Sequence, residues 1–298
     1  MNTQWLFYKI RLGQYAEAAD PTIRELFAKL KAQPLVRQWF YIRYGDQQDG
    51  FHLRLRLLVN AEDEAVVRQH TEQQLDQWLT QVPQLAAAQP PRQPLTPRVP
   101  AFSYQQLPVQ WLRAEYEPEL EKFGEGAGLE IAHRWFQQSS DLAVQLLLLD
   151  QQAPGVRNAL VYLLSQQVCE VFQPNPSPAR FLQQYSYTWL PRNLVQVSNY
   201  RKQFFRDALA LLEQQQPLLP QLQDWPAAAT TLLQQWRQCL QHTRQQLSQQ
   251  GYSTTFIQHQ GWQCIHLMNN RLGISPFEES YLATLLEAWY REEARHVA

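Results

Sequence analysis

Between Phe51 and Val59 the chain alternates with a period of two, with Phe51, Leu53, Leu55 and Leu57 in one row and His52, Arg54 and Arg56 in the other. Successive side chains of a strand point to opposite faces, so this segment buries its leucines only by aligning its basic groups on the far face. A helix would scatter both sets around its circumference. The aromatic-rich stretch Trp39 to Tyr44 precedes it, and the intervening GDQQDG supplies the glycine and aspartate of a hairpin turn. An antiparallel hairpin with one apolar and one cationic face follows, and gathered cations point first to an anion site.

The flanking segments extend the pattern. Trp5 to Leu12 reads as a strand, and Asp20-Pro21 offers an N-cap with proline at the first helical position before the stripe Ile23, Leu26, Phe27 and Leu30. Asn60, with Asp63 three residues on, starts a second helix running to about Val82. Prolines at 83, 90, 91, 94, 97 and 100 mark 83–100 as a loop or extended connector. A further strand through Pro100 to Leu107 would complete a ferredoxin-like β-α-β-β-α-β order, with helices on one sheet face.

From Gly128 onward the period is helical, with helices expected over Leu129 to Gln151, Val156 to Phe172, Leu194 to Gln216, Ala228 to Gln249, Thr255 to Asn270 and Pro276 to Ala294. The expected fold class is α+β, an N-terminal sheet part over 1–127 and a helical part over 128–298 packed as one integrated domain. Ser275-Pro276-Phe277-Glu278 has capping-box spacing, and Gly273 suits the left-handed end of the preceding helix. His266 thus sits near a helix C-terminus, one turn before a reversal.

Of the 298 residues 45% are hydrophobic, enough for a sizeable core, while a net charge of -1 leaves no broad basic surface for nucleic acid. Direct tRNA binding is not expected. No stretch has the length of a signal h-region or a membrane span, so a cytoplasmic location is expected. Cys169, Cys239 and Cys264 lack CxxC spacing and read as reduced thiols. With His52, His133 and His266 they offer no short ligand spacing, so no metal is expected. Walker A, GxGxxG, HExxH and GxSxG sequences are absent.

Four blocks in order, WLFYKI, WFYIRYGD with HLRLR, YEPELEKFGEGAGLEIAHRWF (Tyr116 to Phe136) and HLMNNRLGI from His266, together resemble the thiopeptide-type bacteriocin biosynthesis domain, the glutamate-elimination domain of class I lanthipeptide dehydratases. The resemblance spans nearly the whole chain. It implies a lyase that expels glutamate from glutamylated Ser or Thr of a ribosomally made precursor peptide, leaving dehydroalanine or dehydrobutyrine, with no cofactor. It also implies a separate glutamyl-tRNA-dependent glutamylating protein as partner. Free-standing relatives include thiopeptide pyridine synthases, which perform a formal [4+2] cyclisation, and a non-catalytic peptide-binding subunit is a third reading.

The same resemblance assigns residues. The eliminating arginine of HLRLR corresponds to Arg54 or Arg56, between which spacing does not decide, and the histidine before the NR pair to His266. Where lanthipeptide members read ERYGG this chain reads EKFGE, so Lys122 stands at a second functional arginine, keeping charge but losing the planar fork that matches a carboxylate. β-Elimination requires a base for the α-proton and a clamp for the departing carboxylate. An imidazole, titrating near 6.5, suits the first role, and the arginine row suits the second. Asn270, one turn on, would orient His266, and Arg271 would contact substrate or a helix carbonyl. Arg43, His52, Tyr116, Glu119 and His133 complete the candidate substrate-binding set. Ordinary structural roles compete for several: a strand end for Arg43, a turn for His52, a salt bridge for Glu119 and a local pair with Glu130 for His133.

Overall fold

The structure, a computed structural model, describes residues 2–100, 107–190, 194–213 and 225–297. It divides into two compact units, residues 1–92 with 101–148 and residues 93–100 with 149–298. The chain is a mixed helix-and-sheet protein, and its sheet lies in the first unit.

There, β1 (Thr3–Arg11), β2 (Val36–Asp46), β3 (Gly50–Asn60) and β4 (Gln110–Ala114) form an antiparallel sheet in the order β2-β3-β1-β4. β3 pairs on both sides, so its two rows continue onto its neighbours. Leu53, Leu55 and Leu57 align with Ile10, Tyr8 and Leu6 of β1, and all six are buried. On the other face Arg56 aligns with Phe7 and Phe40, Arg54 with Lys9 and Ile42, and His52 with Arg11 and Tyr44. The alternation read from the sequence therefore governs the sheet. The fourth strand among the described residues begins at Gln110; of the strand expected through Pro100 to Leu107, residues 101–106 lie outside the described residues.

The first helical run begins earlier than Asp20. It is 3-10 at Ala16–Ala18, α-helical at α1 (Ala19–Pro21), π-helical at Thr22–Phe27 and α-helical again at α2 (Ala28–Lys31). Asp20 is thus inside the helix rather than its cap, and its carboxylate takes an ion pair from Arg43 at 2.5 Å instead. After one 3-10 turn at Ala61–Asp63, α3 (Glu64–Leu79) follows; Asn60 Nδ2 donates to Asp63 Oδ2 at 2.8 Å, as its starting position suggests. The proline-rich segment is not wholly irregular. α4 (Val82–Ala87) accommodates Pro83 in its first turn, where no N–H is required.

Helices cover both sheet faces, not one. Phe27 meets Tyr41 on the leucine face, with ring centroids 5.7 Å apart. On the other face α6 (Ala127–Gln152), preceded by the short α5 (Leu120–Phe123), sets Phe136 5.1 Å from Phe40. Trp5, Phe7 and Phe40 make part of that face apolar, which gives α6 a seat the basic alternation did not disclose. Ser140 of α6 also accepts the backbone N–H of Tyr41 at 3.3 Å, satisfying a donor of edge strand β2.

The second unit contains α7 (Val156–Phe172), α8 (Pro178–Thr188), α9 (Leu194–Glu213), α10 (Ala227–Gln249), α11 (Thr254–Arg271) and α12 (Pro276–Val297). All but α8 match the periodic stretches. α8 carries its own start signal: Ser177 Oγ accepts from the Arg180 N–H at 3.2 Å and Pro178 stands in the first turn. α12 packs against both α8 and α9, and Phe204, Phe277 and Tyr281 form an edge-to-face core there.

Between α11 and α12 the chain reverses. Gly273 has φ 75°, a left-handed value that a side chain would strain, and Gly273 N–H donates to the Asn270 carbonyl at 3.0 Å. Ser275 N–H donates to Glu278 Oε2 at 2.9 Å and Glu278 N–H to Ser275 Oγ at 3.4 Å, the reciprocal pair of a capping box. Ser275→Ala is expected to lower stability by about 1 kcal/mol, read as an earlier urea midpoint by circular dichroism; an unchanged midpoint would show the cap to be dispensable.

Candidate functional site

The cationic face of the sheet separates the two arginines. Arg56 is 7% exposed and sits among aromatic rings, its guanidinium carbon 4.5 Å from the Phe7 centroid, 5.0 Å from Phe40 and 5.2 Å from Tyr116. Arg54, nearer the hairpin turn, is half-buried and stacks 3.5 Å over the exposed ring of Tyr44. Its Nε–H donates to His52 Nε2 at 3.0 Å, and its Nη2 lies 3.7 Å from Asp46. His52 is wholly buried, with Nδ1 3.0 Å from the Gly50 carbonyl. Burial, more than the neighbouring Arg54, lowers its pKa, while the Gly50 carbonyl works the other way.

Register brings further charge to this face. Lys9 and Arg11 of β1 both donate to Asp49, Lys9 at 2.6 Å. Burial acts to raise the Asp49 pKa, but these two cations outweigh it and hold the carboxyl at about 2. Asp46, Asp49 and His52 bring ligand-type atoms within 4.8 Å of one another. Asp49 is engaged by Lys9 and Arg11, and the His52 nitrogens by Gly50 and Arg54, so this group is already neutralised by the protein's own cations. Lys9 and Arg11 escaped the sequence reading, although the parity Trp5, Phe7, Lys9, Arg11 of β1 carried the signal.

The remaining candidates of this unit lie apart from Arg54. Arg43 is on the leucine face, held by Asp20. Tyr116 Oη and His133 Nε2 are 2.8 Å apart, and Trp5 and Phe40 pack on the imidazole. Burial first and the Arg56 charge second push the His133 pKa down to about 4, while burial pushes Tyr116 up to about 12. Lys122 and Glu119 pair at 3.0 Å, both exposed.

In the second unit His266, on α11, has Nδ1 3.0 Å from Glu279 Oε1 and 3.2 Å from Oε2. Glu279, on α12, is completely buried and also accepts from the Tyr185 hydroxyl of α8. Desolvation raises the Glu279 pKa, opposed by His266, Tyr185 and Asn269. The Trp189 ring stacks on the imidazole at 4.1 Å and 16°. With the hydrogen on Nδ1 toward Glu279, Nε2 would hold the lone pair, an arrangement suited to taking a proton. Glu279, Tyr185 and Trp189 were not among the sequence candidates; Glu279 directly follows the recognised cap residue Glu278, and only the packing of α12 on α11 shows its contact with His266. Arg271 is wholly buried and donates to the Leu267 carbonyl at 3.0 Å, one turn back along its own helix, while Asn270 is half-buried.

His133 gives a pH signature. Unfolded, it titrates near 6.5; folded, at about 4, so the fold prefers the neutral ring. Its contribution is whole above about pH 6.5 and is lost as pH falls toward 4, on the order of 1–3 kcal/mol. Urea midpoints of His133→Gln should therefore fall less between pH 6.5 and 4 than those of the parent, while the further fall below pH 4, as Asp49 protonates, persists. Equal slopes in the upper window would refute the assignment.

A family model described as the C-terminal region of the lantibiotic biosynthesis dehydratase matches residues 5–290. Among solved structures, the tRNA-dependent lantibiotic dehydratase MibB from Microbispora sp. 107891 is similar at 17% identity and TM-score 0.63, over 98% of this chain and 28% of that one. The present chain thus spans little more than a quarter of MibB. TbtD, a pyridine synthase from thiomuracin biosynthesis, is similar at 16% identity and TM-score 0.64, over 99% of this chain and 100% of TbtD. TsrL aligns at 14% identity and TM-score 0.59, over 99% of this chain and 95% of its own. No curated protein matches the chain. The match over residues 5–290, agreeing with the four ordered blocks of sequence, shows that the chain belongs to the lantibiotic biosynthesis dehydratase C-terminal family.

Proposed function

We propose that the protein eliminates glutamate from glutamylated Ser or Thr residues of a ribosomally made precursor peptide, which a separate glutamyl-tRNA-dependent protein has esterified. The observation that carries this reading is His266 with Nδ1 turned to the buried carboxylate of Glu279. In the proposed step His266 Nε2 takes the α-proton, the Cα–H electron pair forms the Cα=Cβ bond, and the Cβ–O bond breaks to release glutamate as its carboxylate. Glu279 balances the imidazolium that forms. Arg54, the more accessible of the two strand arginines, binds the anionic glutamyl group, while Arg56 acts from within its aromatic surround. Lys122 carries the weaker claim, because its ammonium is exposed and paired with Glu119. The sheet order β2-β3-β1-β4, with β3 between β1 and β2, supports a ferredoxin-like reading of the first unit.

A second reading, cyclisation of two dehydroalanines by a pyridine synthase, draws on the likeness to TbtD over the full length of both chains. Substrate separates the two. Incubation with a synthetic peptide bearing one glutamyl-Ser ester should release glutamic acid and leave dehydroalanine, seen by mass. An unchanged ester, together with macrocycle formation from a polydehydroalanine peptide, would instead establish the synthase.

His266→Ala and Arg54→Ala should each reduce elimination by at least about 100-fold, in line with the loss of a general base or a preorganised charge. Glutamylated peptide then accumulates. Full conversion by both variants would remove these residues from the reaction.

A further inference from the structure

His52 is a candidate for substrate contact by sequence, yet it is 0% exposed and cannot touch a peptide. Its two ring nitrogens nevertheless do different things. Nδ1 lies 3.0 Å from the Gly50 carbonyl, which can only accept, so Nδ1 carries the hydrogen. Nε2 is then the lone-pair nitrogen, and it meets Nε of Arg54 at 3.0 Å, a group that can only donate. The backbone carbonyl thereby selects the one tautomer able to receive the guanidinium.

We propose that His52 is a positioning residue: its neutral imidazole, set by Gly50, seats Arg54 through Nε so that the outer guanidinium nitrogens are presented to the carboxylate of the glutamyl group. This deepens the elimination reading and rests on it for the identity of the bound anion. The charged and titratable groups around the ring come from each neighbouring segment. Arg54 shares β3, Arg11 faces it from β1, and Tyr44 and Asp46 belong to β2, with Asp49 in the turn. Tyr44 holds the other side of the seat, its ring 3.5 Å beneath the Arg54 guanidinium and 5.5 Å from the imidazole. Three fixtures therefore restrain Arg54: an acceptor at Nε, an aromatic face below, and Asp46 3.7 Å from Nη2. A side chain with many rotamers is ordered before substrate arrives, which reduces the entropy lost on binding. Burial supports the scheme by favouring the neutral ring.

A purely structural His52 would matter through Gly50 and the hairpin turn, so the test must keep the Arg54 contact while removing the other. Glutamine does this, because its amide oxygen reaches the position of Nε2 and nothing replaces Nδ1–H. Binding of a nonreactive peptide with the glutamyl ester replaced by an amide would be measured by calorimetry at pH 7.5. His52→Gln should bind within about 3-fold of the parent and His52→Ala about 10-fold more weakly, the loss of one charge-assisted hydrogen bond. Equal binding by His52→Ala and the parent, or His52→Gln as weak as His52→Ala, would overturn the proposal.

A second measurement does not depend on the reaction. Nitrogen NMR of the parent should show His52 protonated at Nδ1, and Arg54→Gln should raise the titration midpoint of His52 by removing the adjacent cation. An unmoved midpoint would show that the two groups are not coupled. If the midpoint moves but the parent does not bind the amide analogue, the seat stands and the elimination reading fails.

Discussion

Antiparallel pairing of β3 to both of its neighbours is the constraint on which the first unit depends. Register, not local sequence, decides that Arg56 lies across from Phe7 and Phe40 while Arg54 lies across from Lys9 and Ile42. A slip of one residue would exchange the faces, placing arginines against the helical run and leucines against α6. The buried row Leu53, Leu55 and Leu57 makes that exchange costly, so apolar burial fixes the address of each charge. The basic face is thus a consequence of a core that occupies the other side.

Gathering cations on a half-covered sheet raises a second problem, and the structure meets it differently at each end. Near Phe7 the Arg56 charge is screened by aromatic faces, and its field helps keep His133 neutral. Near the turn Lys9 and Arg11 converge on Asp49, which leaves Arg54 to the weaker influence of Asp46 at 3.7 Å. Buried polar groups are tolerated when their partners are supplied, and the nearer partner given to Arg54 is the His52 ring at 3.0 Å, with the Asp46 carboxylate at 3.7 Å. A neutral acceptor orients the guanidinium without cancelling its charge.

Much of this is legible in the sequence, because its strongest signals are periodic. The alternation from Phe51 to Val59, the five long helical stretches from Val156 onward apart from α8, and the reversal at Gly273 and Ser275 all depend on neighbours in the chain. What could not be read depends on partners far away in sequence. Asp20 has the chemistry of a cap, but Arg43 holds it in the interior of a helix. Arg43 itself belongs to the opposite face from Arg54, a placement that depends on the register of the hairpin. Arg54 and Arg56 are indistinguishable by spacing; rings brought from distant segments, Phe7, Phe40 and Tyr116, surround Arg56, while Arg54 near the turn is half-buried. Glu279 was invisible for the same reason, since nothing local directs its carboxylate to α11.

Those two adjacent glutamates show how a turn can serve a site. Glu278 closes the capping box with Ser275 and receives the Leu95 backbone N–H at 2.8 Å, so its carboxylate is consumed by backbone donors. Along a helix the next residue is rotated by about 100°, which turns Glu279 away from the cap and toward α11, where it meets His266 and the Tyr185 hydroxyl. The same cap that starts α12 therefore sets the angular position of Glu279. Because Gly273 permits the reversal in so few residues, His266 in the last turns of α11 and Glu279 in the first turn of α12 come within hydrogen-bond distance. A longer connection would leave that distance to the packing of α11 on α12 alone; the short one ties the orientation of the imidazole to the geometry of a single left-handed residue.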